Sequence, residues 1–327
     1  MPAVDARNRL AEVDELRSPP TADLDRRLDR LPDAHPSSPR YASDQRDADD
    51  VRPLTDAEHA DHVADVKARL ADARAAGLDT RLQHTIDEEH EIWSDAREAA
   101  QDAIVDDLYA RAATVPCDYR AIVTGGLPGA GKTTVLRQHA DIELSQYLMI
   151  NPDVIKDAMA QRGLIPEVTG LTPMEAAGLV HEESSHIAKA LAHRAQAEGK
   201  NVIWDVTLSR AESCAGRIEA LRAAGYTRIE GMFVDVPVEV SVRRTDARHR
   251  EGHDDYRAGL GLGGRFVPDE MTCAQTDSAW GSTNRANFEQ LKRRFDTWSV
   301  YDNSFDGRAA ELIAASPPDF ERDREKV

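Results

Sequence analysis

Short apolar runs alternate with amphipathic stretches along the chain from Tyr119 onward. The intervals between the runs carry hydrophobic positions at helical spacing, most clearly over Met174–Glu198 and Arg210–Ala224. Strands that alternate with helices favour a mostly parallel sheet with helices on both faces, which binds ligands at the carboxyl ends of its strands. The pattern therefore predicts an α/β fold. Strands are expected at Ala121–Thr124, Gln146–Ile150, Asn201–Val206, Arg228–Val234 and Trp298–Tyr301.

The chain before Val115 has a different pattern. Residues 18–54 hold six prolines among aspartate, arginine and serine, and such a stretch cannot bury enough apolar surface to offset the entropy of ordering it. Residues 1–54 are therefore expected to be disordered. Helical signals follow over residues 55–114. They are a capping-box pattern at Thr55-Asp56-Ala57-Glu58, a stop at Gly77 and a second amphipathic stretch from about Glu88 to Ala113, which we expect to pack on the α/β core.

Charge and composition exclude several classes of protein. The 327 residues carry a formal charge of −18, and 27 acidic against 15 basic residues precede Val115. A general nucleic-acid-binding protein presents a basic face, so no nucleic acid is expected as a partner. Three widely spaced cysteines fit a reducing compartment and no structural zinc. No apolar run approaches the roughly 18 residues of a membrane span, and the acidic N-terminus lacks a signal-peptide core, so we expect a cytoplasmic protein without membrane contact.

A phosphate-binding loop follows the first predicted strand of the α/β region. The segment Gly126-Leu127-Pro128-Gly129-Ala130-Gly131-Lys132-Thr133 matches the pattern G-x-x-x-x-G-K-[ST] and precedes a predicted helix, as the motif requires. The glycines let backbone N–H groups point at phosphate oxygens, and the helix adds its positive dipole end. We expect Lys132 to reach the outer phosphates and the Thr133 hydroxyl to ligate Mg²⁺. Residues 126–134, the last being Thr134, are therefore predicted to bind a nucleoside triphosphate.

Two carboxylates that follow strands are candidates for the acceptor side. Asp153 comes after the second strand, where it can accept the proton of an attacking hydroxyl or merely favour the start of a helix capped by Asn151. Asp205 ends the third strand and can hold Mg²⁺ through water, grip a substrate hydroxyl or cap the next helix. Thr207, two residues further on, points to the same face of an extended chain as Asp205.

Two further segments carry polar side chains of interest. In His181-Glu182-Glu183-Ser184-Ser185-His186 the histidines are five residues apart, a spacing that does not put both on one helical face, so a metalloprotease helix is excluded. Glu182 and Glu183 can line a substrate pocket or lie on a solvated face.

A glycine-rich segment follows the helix that carries Arg243, Arg244, Arg248 and Arg250, for which surface salt bridges are the default interpretation. No strand precedes Gly259–Gly264, so the segment is not a dinucleotide fingerprint. It fits a flexible lid that presents Arg265 to the charge that develops during phosphoryl transfer.

Taken in order, these motifs resemble those of the zeta-toxin family of P-loop kinases, over about residues 115–305. The resemblance implies ATP- or GTP-dependent phosphorylation of a UDP-sugar, typically at the 3′-hydroxyl of UDP-N-acetylglucosamine, by a toxin that starves cell-wall synthesis. It also implies a protein antitoxin as partner and a P-loop kinase domain at 115–327. The matching segments are Gly126–Thr134, Asn151–Lys156, His181–Ser185, Asn201–Leu208 and Gly264–Pro268.

The resemblance also implies roles for single residues. Asp153 matches the catalytic base of the family, Lys132 and Thr133 its phosphate and Mg²⁺ contacts, and Arg265 its lid arginine. Asp205 and Thr207 match an acidic and a hydroxyl position that hold the sugar nucleotide.

One position departs from the family pattern. Lys189 stands where better-known members carry a substrate-binding glutamate, with Glu182 and Glu183 one or two turns earlier, so the acceptor sugar stays open. A kinase for another hydroxyl (an antibiotic, NAD or a polynucleotide end) and a regulatory NTPase that transfers nothing are the alternatives. For the first 114 residues we weigh a delivery segment, an inhibitor acting in cis and a solubilising extension.

Overall fold

The computed structural model of the protein describes residues 52–87, 91–138 and 142–317. The segment predicted to be disordered, 1–54, lies outside the described residues except for 52–54. In the described ranges the helices are α1 (Asp56–Ala75), α2 (Thr80–His84), α3 (Asp95–Arg111), α4 (Lys132–Gln138), α5 (Pro152–Gln161), α6 (His181–Ala197), α7 (Ala211–Ala223), α8 (Val238–Arg257), α9 (Asp269–Cys273) and α10 (Thr283–Leu291). The strands there are β1 (Thr85–Asp87), β2 (Ile92–Trp93), β3 (Arg120–Gly125), β4 (Leu148–Ile150), β5 (Val202–Asp205), β6 (Arg228–Asp235), β7 (Thr276–Asp277), β8 (Gly281–Ser282), β9 (Thr297–Asp302) and β10 (Glu311–Ala315).

A six-stranded sheet with the order β10-β9-β6-β3-β5-β4 forms the centre. β3 pairs in parallel with β5 and β6, β4 pairs in parallel with β5, and β6 does so with β9. Only β10, which was not predicted, runs antiparallel, and it covers the edge of β9. The predicted α/β fold with a mostly parallel sheet is confirmed. This order places the carboxyl ends of β3, β5 and β4 side by side, so the segments after them meet at one edge of the sheet.

Hydrophobic side chains alternate between two cores, one on each face of the sheet. In β3, Ala121 and Val123 face one core and Ile122 faces the other. The first core also receives side chains from α1 and α3, including Val66 and Ile104, both fully buried. Helices therefore cover both faces, as predicted, and the N-terminal helices pack on the α/β core as expected.

Some helix boundaries differ from the predicted ones. The stretch Met174–Glu198 is divided into a 3₁₀ turn at Ala176–Val180, which contains Gly178, and α6. The stretch expected to be helical from about Glu88 begins as helix only at Asp95, because β2 and the N-cap residue Ser94 precede it; Glu88 itself lies outside the described residues. Periodicity alone does not separate a short strand from the first turns of the helix that follows it.

The predicted start and end of α1 are confirmed. The Thr55 hydroxyl accepts a hydrogen bond from the backbone N–H of Glu58 at 3.3 Å, and the Glu58 carboxylate accepts one from the N–H of Thr55 at 2.8 Å. At the other end Gly77 adopts a φ of 74°, which terminates the helix after Ala75. No helix within the described ranges is both long and apolar enough to span a bilayer.

Candidate active site

The phosphate-binding loop lies between the end of β3 and the start of α4. Gly126, Gly129 and Gly131 have φ angles of 138°, 72° and 85°, which side chains disfavour. A Cβ atom on Gly126 would lie 2.4 Å from the carbonyl oxygen of Val234. All three positions therefore favour glycine for their backbone conformation, and Gly126 also requires it for close packing on β6.

Three other segments fix the loop through hydrogen bonds. The N–H of Gly126 donates to the carbonyl of Thr207 at 3.3 Å. The Ser241 hydroxyl of α8 donates to the carbonyl of Pro128 at 2.5 Å, and the Asn303 amide donates to the carbonyl of Ala130 at 2.7 Å. Contacts with three other segments of the protein thus help to hold the shape of the loop.

Lys132 begins α4 and lies beside the carboxylate that ends β5. Its ammonium nitrogen is 3.7 Å from an oxygen of Asp205, whose side chain is buried. Thr124 and Asn151 each donate to that carboxylate at 2.9 Å, one to each oxygen. The structure therefore brings Lys132 and Asp205 together at the carboxyl edge of the sheet. Thr133 and Thr134 follow Lys132 in the first turn of α4.

Asp153 occupies the first turn of α5. The side-chain oxygen of Asn151 accepts the N–H of Asp153 at 2.7 Å, which is the predicted N-cap. The Asp153 carboxylate forms an ion pair with Arg265 and lies 3.5 Å from the ammonium nitrogen of Lys156. The side chains of Asp153 and Arg265, 112 positions apart in sequence, are in direct contact.

Opposing effects set the pKa of Asp153. Burial raises it, but the charges of Arg265 and Lys156, with smaller contributions from Lys132 and Arg248, lower it more, so the pKa lies below its usual value. The pKa of the neighbouring Asp157 is raised, because there burial outweighs the attraction of Arg265. Asp153 is therefore ionised at neutral pH, the state that accepts a proton.

The segment that carries Arg265 is open in its first half and tightly packed in its second. A Cβ atom on Gly259 or Gly261 would meet no other atom within 4 Å. One on Gly263 would lie 2.1 Å from the Thr172 hydroxyl, and one on Gly264 would lie 2.0 Å from the carbonyl of His249. The last two glycines allow close packing that places Arg265 over Asp153, whereas the flexible closure predicted for the segment stays a prediction.

Comparison with known proteins identifies the family of this chain. The zeta-toxin family model matches residues 115–306. The chain belongs to the zeta-toxin family. Its P-loop kinase-like fold agrees with that assignment, while a search of curated proteins finds no match.

Two solved structures of the AvrRxo1-ORF1:AvrRxo1-ORF2 complex share the fold of this zeta-toxin family member. The AvrRxo1-ORF1:AvrRxo1-ORF2 complex with sulphate ions matches at a TM-score of 0.53 and 17% identity, over 68% of each chain. The same complex with ATP matches at a TM-score of 0.52 and 17% identity, also over 68% of each chain. The PezAT toxin–antitoxin system of Streptococcus pneumoniae matches at a TM-score of 0.49 and 14% identity, over 72% of this chain and 94% of that one.

The two glutamates predicted to bind substrate occupy different environments in this zeta-toxin chain. Glu182 lies exposed in the first turn of α6. Glu183 is fully buried and accepts two hydrogen bonds from Arg97 of α3, at 2.6 and 2.8 Å, and one from Gln101 at 2.9 Å. As placed here, Glu183 ties α3 to α6 and offers no exposed atom to an acceptor. Lys189, the departure from the family pattern, lies 3.3 Å from the Glu91 carboxylate.

Thr207 contributes to the site chiefly through its backbone. Its carbonyl accepts from Gly126 of the loop and from the Asn284 amide of α10 at 2.7 Å. Its hydroxyl lies 3.4 Å from that of Ser209. The hydroxyl role predicted for Thr207 towards a sugar nucleotide stays a prediction.

One arginine that sequence reasoning assigned to the surface belongs to the site. Arg243 and Arg244 form ion pairs with Asp306, and Arg250 forms one with Asp56, as the default interpretation expects. Arg248 instead lies close enough to Arg265 and Asp153 for their charges to act on its pKa, which burial and Arg265 lower. A pattern of four arginines on one helix gave no signal as to which of them lies near Asp153 and Arg265.

A cavity of about 1200 Å³ opens beside this site but does not contain it. Asp235 at the end of β6 and Asp302 at the end of β9 line it, together with α8 and α1. Neither Lys132, Asp153 nor Arg265 lines it. Carboxylates outnumber cations in its walls, which makes it a poor phosphate site, so we place the chemistry at the loop and not in the cavity.

Proposed function

We propose that this protein transfers the terminal phosphoryl group of ATP (or GTP) to a hydroxyl of a UDP-sugar, the 3′-hydroxyl of UDP-N-acetylglucosamine by family resemblance. The acceptor oxygen forms a bond to the γ-phosphorus, the bond from that phosphorus to the β-phosphate oxygen breaks, and the hydroxyl proton passes to Asp153. The observation that carries the proposal is the position of Asp153, an ionised carboxylate beside the phosphate loop that is paired with Arg265.

The donor half supports nucleoside triphosphate binding. The loop presents glycines at positive φ, a lysine at the first position of α4 and the N-terminus of that helix, which together suit phosphate oxygens. A complex of similar fold, AvrRxo1-ORF1:AvrRxo1-ORF2, has been solved with ATP. These observations favour ATP as the donor, and they leave GTP as an alternative that competition binding distinguishes.

The donor half also has a ligand set that suits Mg²⁺. Thr133 supplies a hydroxyl oxygen in the first turn of α4, and Asp205 supplies a buried carboxylate that can hold the ion through water. Thr133 and Asp205 would hold the ion there, and it would supply positive charge to neutralise the phosphates during transfer. Thr124 and Asn151 fix the Asp205 carboxylate by one hydrogen bond each, so the chain orients this ligand in advance.

The charges of the acceptor half suit a substrate that carries phosphate groups. Lys156, Arg248 and Arg265 surround Asp153 and Asp157, and Lys132 adds a further positive charge. This local excess of positive charge occurs in a chain with a net charge of −18. It supports a nucleotide sugar as acceptor over a neutral metabolite, because the diphosphate of the acceptor needs cations once the donor has engaged Lys132.

The test is a phosphoryl-transfer assay on the purified full chain with ATP, Mg²⁺ and UDP-N-acetylglucosamine, read by mass spectrometry of the sugar nucleotide. We expect a product with one added phosphoryl group. Asp153→Asn should lower turnover by about 10²–10⁴-fold while ATP binding survives. Asp95→Asn, a first-turn aspartate of α3, is the matched control and should transfer normally.

Each other outcome overturns a defined part of the proposal. Full transfer by Asp153→Asn would exclude the proposed base. Transfer to a different hydroxyl in a panel of acceptors, with UDP-N-acetylglucosamine inert, would exclude the sugar. Release of ADP that is independent of any acceptor would replace the kinase by a nucleotide hydrolase.

Family membership further supports a toxin that blocks cell-wall synthesis and is neutralised by a protein antitoxin. Expression of the chain in bacteria should cause lysis that Asp153→Asn abolishes. Growth arrest that persists in this variant, at equal protein level, would contradict a toxicity that depends on transfer.

A further inference from the structure

Behind the Arg265 segment, three histidines converge on one buried carboxylate oxygen. The Nε2 atom of His62 in α1 lies 2.6 Å from Oε1 of Glu175. From α8, Nε2 of His249 lies 3.1 Å and Nδ1 of His253 lies 3.0 Å from the same oxygen. This cluster joins the N-terminal helix, the long helix α8 and the turn before α6, and the proposed phosphoryl transfer does not use it.

The carboxyl group of Glu175 is buried among imidazole rings. Its side chain is fully buried, and among the described residues its ion pairs are all with imidazoles. All three histidines lie within hydrogen-bond distance of its Oε1, and the N–H of Thr172 donates to the other oxygen. A carboxylate removed from water is costly without a compensating positive charge.

His249 is an unsuitable source of that charge. Its Nδ1 atom is buried and has no hydrogen-bond partner among the described residues. A second proton there would create a buried donor without an acceptor. His249 therefore contacts Glu175 through Nε2 alone, and the charge must come from elsewhere around the carboxylate.

The remaining three groups have the chemistry and spacing of a metal site. The ligand atoms of His62, Glu175 and His253 all lie within 4.8 Å of one another. Metal–ligand bonds of about 2 Å in a tetrahedral site put ligands roughly 3.3 Å apart, so small side-chain shifts suffice. Imidazole and carboxylate are ligands for zinc, cobalt and nickel. The histidine side chains keep 15% and 13% of their surface exposed, which leaves an entry route for the ion.

We propose that His62, Glu175 and His253 bind a divalent transition-metal ion of the zinc type, with His249 orienting the carboxylate from the outer shell. The cysteine spacing predicts no structural zinc, and these ligands are not cysteines. They come from three distant parts of the chain, which is why sequence spacing does not reveal them.

The site stabilises the packing of α1 on α8 behind the catalytic arginine. Thr172, which donates to the other Glu175 oxygen at 2.8 Å, packs against Gly263. The N–H of Met174 donates to the carbonyl of Leu262 at 3.1 Å, and the Phe266 ring packs edge-on against His249 at 5.4 Å. An ion at Glu175 thus fixes the residues on both sides of Arg265.

The test is Zn²⁺ titration by calorimetry of the chelator-treated full chain without nucleotide, together with the visible spectrum of the Co²⁺ form. We expect one site and a d–d spectrum typical of nitrogen and oxygen ligands. His62→Ala and His253→Ala should each lower the affinity by more than about 100-fold, beyond the loss expected for an outer-shell partner. His193→Ala, an exposed histidine of α6, is the matched control and should bind as the parent chain does.

Circular dichroism and ATP binding establish that the variants fold. If they do not fold, the Co²⁺ spectrum of the parent chain decides the question. A parent chain without a d–d band, a thiolate charge-transfer band from a cysteine site, or a folded His62→Ala variant with unchanged affinity would each overturn the proposal.

Discussion

The donor and acceptor halves of the proposed active site are built in different ways. The donor half is one continuous loop, Gly126–Thr133, whose shape is held by hydrogen bonds to its backbone carbonyl and N–H groups. The acceptor half is assembled from α5, α8 and the Arg265 segment: an ion pair joins Asp153 of α5 to Arg265, and the charge of Arg248 in α8 acts on both. Backbone contacts fix the shape of the donor half, whereas a balance of side-chain charges sets the electrostatics of the acceptor half.

Because of this difference, the two halves should tolerate different kinds of substitution. A glycine loop that is pinned through its backbone depends on conformation, so even a methyl group disturbs it. A cluster of charged side chains depends on the number and distance of its charges, so isosteric neutral variants should change pKa values and rates with little effect on folding.

Arg265→Ala is expected to have the largest effect on the acceptor half. Because an arginine that stabilises transition-state charge contributes on the order of 10³-fold or more, turnover should fall by at least that factor while ATP affinity stays within a few-fold. Single-turnover transfer and ATP binding by calorimetry measure the two quantities. A loss of ATP affinity equal to the loss of turnover would place Arg265 in the donor half instead.

Lys132→Ala is expected to come next and to affect the donor half. Loss of a charge aimed at the outer phosphates should lower turnover by about 10²–10³-fold and should weaken ATP binding as well, unlike the change at Arg265. Lys67→Ala, which removes a lysine from a surface pair with Glu270, is the control and should leave both unchanged. Equal ATP affinity in Lys132→Ala and the parent chain would contradict the assignment of Lys132 to the donor half.

Gly126→Ala tests the backbone argument through stability. Its φ of 138° and the approach to the Val234 carbonyl predict destabilisation by roughly 1–3 kcal/mol or more, with loss of ATP binding. Gly216→Ala in α7, where an added Cβ meets nothing within 4 Å, should stabilise the chain by about 0.5–1 kcal/mol. Urea unfolding of the two variants measures the change in the free energy of unfolding, which should have opposite signs. Changes of the same sign would contradict the argument from backbone conformation.

Arg248→Gln should have the smallest effect, seen in the pH dependence of transfer. Arg248 helps to hold the pKa of Asp153 below its usual value. Without this charge the pKa rises, so protonation disables the base at a higher pH and the acidic limb of kcat/KM moves upward. Arg243→Gln, which removes a charge paired with Asp306, should leave that limb in place. A shift of the acidic limb to lower pH in Arg248→Gln would contradict the proposed effect of Arg248 on the pKa of Asp153.

The parts of the molecule that could be predicted from sequence are those that short segments specify. The capping box at Thr55, the five parallel strands and the strand–loop–helix context of Lys132 all depend on residues within a few positions of one another. The N-cap role of Asn151 could be predicted for the same reason, because Asn151 lies two residues before Asp153.

The parts that sequence missed depend on contacts between distant segments. The burial of Glu183 against Arg97 joins residues 86 positions apart, and the proximity of Arg248 to Asp153 and Arg265 depends on how α8 packs. Charge and helical spacing at these positions are compatible with a solvated face, so no local signal distinguishes the two environments.

By itself, the sequence determined the α/β class, the family resemblance and the donor loop, because each follows from local conformation and from residue order. Only the tertiary structure decided which charges face Asp153, which glutamate is buried and which histidines converge on Glu175. The physical reason is that pKa values, ion pairs and ligand sets depend on distances in space, and those distances are fixed when the helices pack on the sheet.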